Sequence, residues 1–223
     1  MAPKTLSSLV LFGGALFAAS SASAVPFGGI EFPGGAISFA DAVVSYDPAF
    51  GGGAVPTHPN FTDPDEALGP PDYSGGSTGT GSVSLGSGGR LVLQFLDNFL
   101  TGSNNADFDL HIFEVGPDVE DTFVEISTDG VTWHDVGKVF GSTSSIDIDA
   151  FGFDSTFSFS YVRLTDDAAE GGTSGATVGA DIDAVGAIST RPRDEVPDSG
   201  LTLILVSLSL AGLASLRRRS LLR

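Results

Sequence analysis

Twenty-eight aspartates and glutamates, three histidines and no cysteine set the chemistry open to this 223-residue chain. Carboxylates in loops are hard oxygen ligands, and calcium takes about six to eight oxygens at roughly 2.3–2.6 Å. Asp107 and Asp109, preceded by Asn104 and Asn105, place oxygen atoms close together in sequence. Asp181 and Asp183 are two residues apart, which puts them on one face of a strand. These four are the candidate ligands of a structural Ca²⁺. The competing reading is that such carboxylates accept backbone N–H bonds in turns. Asp63, Asp65 and Glu66 make another acidic turn, and Glu114 interrupts an apolar run in which Arg163, from another segment, is its natural ion-pair partner. There is no EF-hand spacing and no Gly-Gly-x-Gly-x-Asp repeat.

Other residue types narrow the chemistry. Tyr73, beside the Gly/Ser/Thr-rich stretch 74–81, is the accessible aromatic most suited to stack on a ligand. Trp133 is the sole tryptophan, and its place in a hairpin strand predicts a core residue rather than a sugar-stacking one. His58, His111 and His134 have no metal-ligand spacing, and His111 and His134 are expected at exposed strand positions. The chain lacks a Gly-x-Ser-x-Gly elbow, a P-loop and a His-Glu-x-x-His helix, so a non-enzymatic role is expected. Without cysteine there is no disulfide, thiol nucleophile or Cys-bound metal. Residues 25–200 hold all 28 acidic groups against five basic ones, a charge that repels nucleic acid and anionic lipid.

The two ends are of another kind. Lys4, an apolar run from Leu9 to Ala19 and the exit Ala22-Ser23-Ala24 read as a signal peptide over residues 1–24. At the other end Val196-Pro197-Asp198-Ser199-Gly200 precedes an uncharged segment, 201–216, that makes ~24 Å of helix, a marginal single transmembrane span. Arg217, Arg218 and Arg219 open a basic tail, 217–223, that stays cytoplasmic by the positive-inside rule. Motif, apolar helix and arginine cluster in this order resemble the PEP-CTERM class of sorting signals, in its VPDSG variant. The resemblance implies an exosortase-type processing enzyme as partner. It also implies a protein held at the membrane by its C-terminal helix and then delivered to the cell surface or extracellular matrix.

The elements between the ends read as short strands. They are expected over 38–46, 82–85, 90–95, 109–114, 122–127, 131–136, 146–148, 157–164 and 181–188, after an irregular lead-in over 25–37. Thr128-Asp129-Gly130 predicts a tight hairpin turn. Phe157, Phe159 and Tyr161 alternate onto one expected face. The fold class is all-β, an antiparallel β-sandwich over 25–190, followed by a linker and sorting motif over 191–200. Ala40 to Val43, Ala67 to Asp72, Val83 to Gly89, Leu91 to Asp97, Asp109 to Glu114, Ser127 to Gly130 with Trp133, and Gly179 to Val185 follow an order that resembles galactose-binding-like (discoidin-like) surface domains. That resemblance implies a jelly roll of about eight strands that serves as a carbohydrate or adhesion module. The expected function is a non-enzymatic exported surface or matrix protein associated with surface polysaccharide. The alternative is a self-associating structural surface protein without a small ligand, and a secreted hydrolase comes third.

Overall fold

The structure, a computed structural model, describes residues 24–75, 79–116, 119–141, 144–170 and 174–193. The signal peptide, the Val196–Gly200 motif, the apolar segment 201–216 and Arg217–Arg219 lie outside the described residues, Ala24 excepted. Among the described residues no helix is long and apolar enough to cross a membrane.

Thirteen short strands follow in order: β1 (Val25–Phe27), β2 (Ile30–Phe32), β3 (Ala42–Asp47), β4 (Val83–Ser84), β5 (Arg90–Gln94), β6 (Asn98–Leu100), β7 (Leu110–Glu114), β8 (Val119–Ser127), β9 (His134–Gly141), β10 (Ser145–Ile146), β11 (Tyr161–Asp166), β12 (Asp181–Ala187) and β13 (Thr190–Pro192). Two antiparallel sheets make the body, one ordered β3-β5-β11-β8-β9 and the other β10-β7-β12-β4. The expected all-β sandwich is therefore present.

Period-two patterning explains the five-stranded sheet. In β11, Val162 and Leu164 are buried while Tyr161, Arg163 and Thr165 stay half-exposed on the outer face. Leu91 and Leu93 of β5 and Val124 and Ile126 of β8 join them in one core with Ile112, Ile182 and Val185 of the opposite sheet. Each such burial stabilises by roughly 1.5–3 kcal/mol. β12 does not alternate, because both its faces are covered. The second cover is the β1–β2 hairpin, whose Phe27 and Phe32 pack with Phe39 and with Phe113 of β7 at ring separations of 4.7–6.1 Å. At the turn after β4, Gly86 has φ +84 and stands where a Cβ would come 2.2 Å from the Pro48 carbonyl oxygen, so this crossing requires glycine.

Several expectations need correction. The lead-in over 25–37 is not irregular; it supplies the β1–β2 hairpin, driven by its phenylalanines. Residues 35–38 form a 3-10 turn, so the strand expected from 38 begins at Ala42. The tight 128–130 turn is longer: Asp129 Oδ1 accepts N–H bonds from Val131 and Thr132, and pairing resumes at Ile126 and His134. Trp133 consequently lies outside the core, half-buried on the outer face with the Arg163 guanidinium 4.2 Å from its ring centre. Phe159 is buried against Leu100 and Phe157 is 41% exposed, so neither continues β11. His111 and His134 are half-buried rather than exposed. The packed unit also passes residue 190: β13 pairs with β6, and Arg193 donates to the carbonyls of Phe95 and Asn98 and to Ser160 Oγ.

Candidate functional site

Asp109 ends the loop that enters β7 and is fully buried. Its backbone N–H bonds Ile146 O, and its own carbonyl accepts from Ile188 and Ser189, which fixes it between the β10 and β12 ends of the sheet. The chain leaving β10 then brings Asp147 and Asp149 beside it. One oxygen from each of these three carboxylates lies within 4.8 Å of one from each of the others. Asp109 Oδ2 accepts the Ile148 N–H at 2.9 Å. Asp147 Oδ1 accepts the Ala150 N–H at 3.3 Å, and Asp149 Oδ2 accepts the N–H groups of Ser103 at 2.7 Å and Asn104 at 3.1 Å. Asp109 Oδ1 is buried and meets no donor; the Ser103 hydroxyl, near enough to favour the ionised form, is directed to Asp149 Oδ2 at 3.3 Å. Burial, reinforced by Asp149 and Asp147, pushes the Asp109 carboxyl up to about 6. The two loops interlock closely, since a Cβ on Gly102 would meet Phe153 O at 2.2 Å.

Of the four carboxylates singled out in the sequence, only Asp109 belongs to this group. Asp107 is exposed, with its N–H bonded to Asn105 Oδ1. Asp181 and Asp183 do not act together, because a bulge between Ile182 and Ala184 redirects the strand. Asp181 accepts from the Ser84 hydroxyl, and Asp183 Oδ1 accepts from the Asp72 N–H at 3.0 Å. Burial pushes both carboxyls up, opposed by these bonds. They brace strands and loops instead of facing a common point. Tyr73 is half-buried in that same loop. Asp147 and Asp149 were missed; their signal was the Ile-Asp-Ile-Asp alternation of residues 146–149, which puts two carboxylates on one side of the chain.

A second feature lies on the outer face of the five-stranded sheet. Arg90, Phe123, Glu125, Asp135 and Thr165 line an open pocket of about 250 Å³. Arg90 Nε donates to Thr165 Oγ1 at 3.0 Å, and its guanidinium lies 3.6 Å from the Phe50 ring centre. No carboxylate pairs with Arg90 among the described residues. Glu125, by contrast, is held by Arg163 through two bonds of 2.6 and 2.5 Å. This corrects the expected Glu114–Arg163 pair: β8 lies beside β11, whereas Glu114 belongs to the other sheet. Phe123, 44% exposed, offers an aromatic surface beside a cation and several oxygen acceptors. None of the pocket residues was singled out from the sequence.

A search among curated proteins finds no match. Among solved structures the fold is similar to the C-terminal domain of a chitobiase from Bacteroides fragilis, at 15% identity and a TM-score of 0.35, over 68% of this chain and 93% of that one. Residues 195–220 match the model of the VPDSG-CTERM motif. That motif is a sorting signal processed by an exosortase-type system, and the chain therefore carries the address of an exported, membrane-anchored protein.

Proposed function

We propose that the sandwich is a non-enzymatic extracellular module of the galactose-binding-like, jelly-roll kind. Exosortase-type processing delivers it to the cell surface or matrix, where it associates with polysaccharide. The sorting signal supports the address. The observation that carries the ligand class is the pocket of Arg90, Phe123, Glu125, Asp135 and Thr165, which sets an exposed ring beside hydrogen-bonding groups. An aromatic face suits the C–H side of a pyranose, and the flanking polar groups suit its hydroxyls. Thr165 and Arg90 favour a polyol or a sugar bearing a carboxylate over an apolar ligand.

The test is binding to a glycan array and to the producer's own exopolysaccharide, with Phe123→Ala and Arg90→Ala as controls. Retention that falls about tenfold or more in each variant is expected. No retention on any glycan, or retention indifferent to both substitutions, overturns the reading. A second reading, self-association without a small ligand, is favoured by Phe50, Phe140 and Phe151, each about half exposed. It predicts a concentration-dependent rise in mass by light scattering.

A further inference from the structure

We propose that the chain binds one calcium ion between Asp109, Asp147 and Asp149, at the end of the sandwich where β7, β10 and the 102–108 loop meet. The three carboxylates converge within 4.8 Å, and no Lys or Arg pairs with any of them among the described residues. Three negative charges at that separation repel one another strongly unless a cation lies among them. The turn-capping duties of these residues do not account for the arrangement. Each carboxylate gives one oxygen to backbone N–H groups and keeps its second without a donor among the described residues. The second oxygen of Asp109 belongs to a fully buried residue, where an acceptor left without a donor is costly. A metal ion is a partner that resolves both the repulsion and the orphaned oxygen.

The donor set selects the ion. It is all oxygen, with no His or Cys in the group, so a soft or borderline metal has no preferred ligand. The carboxylates sit on two interlocked loops and leave room in the coordination shell for carbonyl oxygens and water, which suits calcium better than the strict octahedron of magnesium. The expected affinity is that of extracellular calcium modules, with a Kd on the order of 0.1–1 mM. Such a site is filled outside the cell, in keeping with a chain addressed for export. Its effect is to tie the 102–108 loop to the 147–155 loop. This site is separate from the sheet-face pocket, and glycan binding can fail without touching it.

The experiment uses the full chain in detergent micelles, stripped with EGTA and titrated with CaCl₂ or MgCl₂, followed by thermal melting and calorimetric titration. With calcium about tenfold above Kd, the melting temperature rises by roughly 3–6 °C, and magnesium does markedly less. Asp109→Asn changes a buried group and can fail to fold, so Asp147→Asn is the decisive variant. Its amide oxygen can still accept the 3.3 Å bond from the Ala150 N–H. In EGTA it should melt no lower than the unsubstituted chain, since one of three mutually repelling charges is gone, yet lose the calcium-dependent rise and at least tenfold in affinity. An unchanged melting temperature in calcium, or a rise that Asp147→Asn retains in full, overturns the site.

Discussion

Single carboxylates do unlike work in this chain, and burial alone does not tell them apart. Asp166 is buried at the end of β11 and accepts the Gly88 N–H at 2.8 Å on one oxygen and the Ala180 N–H at 2.9 Å on the other. It thereby joins the turns before β5 and β12. Both its oxygens are acceptors, so Asp166→Asn must point its NH₂ at an N–H. That substitution should cost about 1–3 kcal/mol, and Asp166→Ala, which orphans two donors, roughly 2–4 kcal/mol. Urea unfolding measures both, and an Asn variant as stable as the native chain refutes the assignment. Compared with Asp109, Asp166 has no oxygen left over, which is why one is read as a clasp and the other as a ligand. The sequence made Asp109 visible, since a carboxylate at the mouth of an apolar strand needs a partner. It did not reveal Asp147, Asp149, Asp166 or Arg90, because each depends on a group distant in the chain, up to 78 residues away.

Strands were legible in both sheets: segments 82–85, 109–114 and 181–188 anticipate β4, β7 and β12 of the covered sheet, and 90–95 and 122–127 anticipate β5 and β8 of the open one. β8 and β11 belong to a sheet whose outer side is open, and their buried residues recur at every second position, whereas β5 is read from the unbroken run Leu91-Val92-Leu93. The opposite sheet is covered twice, so β12 is buried almost throughout without alternating, and the phenylalanines of residues 25–39 were not legible as its second cover. β6 and β13 were invisible for a different reason. Three residues each, with Pro192 and two arginines around β13, resemble a tether more than a strand. They are defined by pairing with each other, by the 2.7 Å bond from Asn98 Nδ2 to Thr190 Oγ1 and by Arg193. The Arg193 guanidinium donates at 2.9 Å to Phe95 O, 3.2 Å to Asn98 O and 2.6 Å to Ser160 Oγ, and it stands 4.0 Å from the Phe99 ring centre. Arg193→Ala should therefore cost about 1–3 kcal/mol. Arg193→Lys should restore only part of that, since an ammonium has neither the fork nor the stacking plane. Full rescue by lysine in thermal melting means that charge alone holds the end of the domain.

At the scale of the whole molecule, the fold and the address meet within a few residues. Arg193, the last of the described residues, is bound into the sandwich, and the matched sorting signal begins at 195. Such spacing predicts that the two parts are separable, because the described strands close through β13 before the matched motif begins. A chain ending after Asp194 should therefore keep its melting temperature to within about 2 °C, the effect of under 1 kcal/mol in a domain of this size. In the producing cell it should move from the membrane fraction to the medium, because the apolar segment that halts export is gone. Replacing Val196-Pro197-Asp198-Ser199-Gly200 alone, with the apolar segment and arginines intact, should leave the protein at the membrane and unprocessed. The two altered chains separate anchoring from processing, with fractionation and chain mass as readouts. A truncated chain that unfolds far earlier means that residues beyond 194 belong to the packed unit. A motif variant processed like the native chain means that the signal is read elsewhere in the tail.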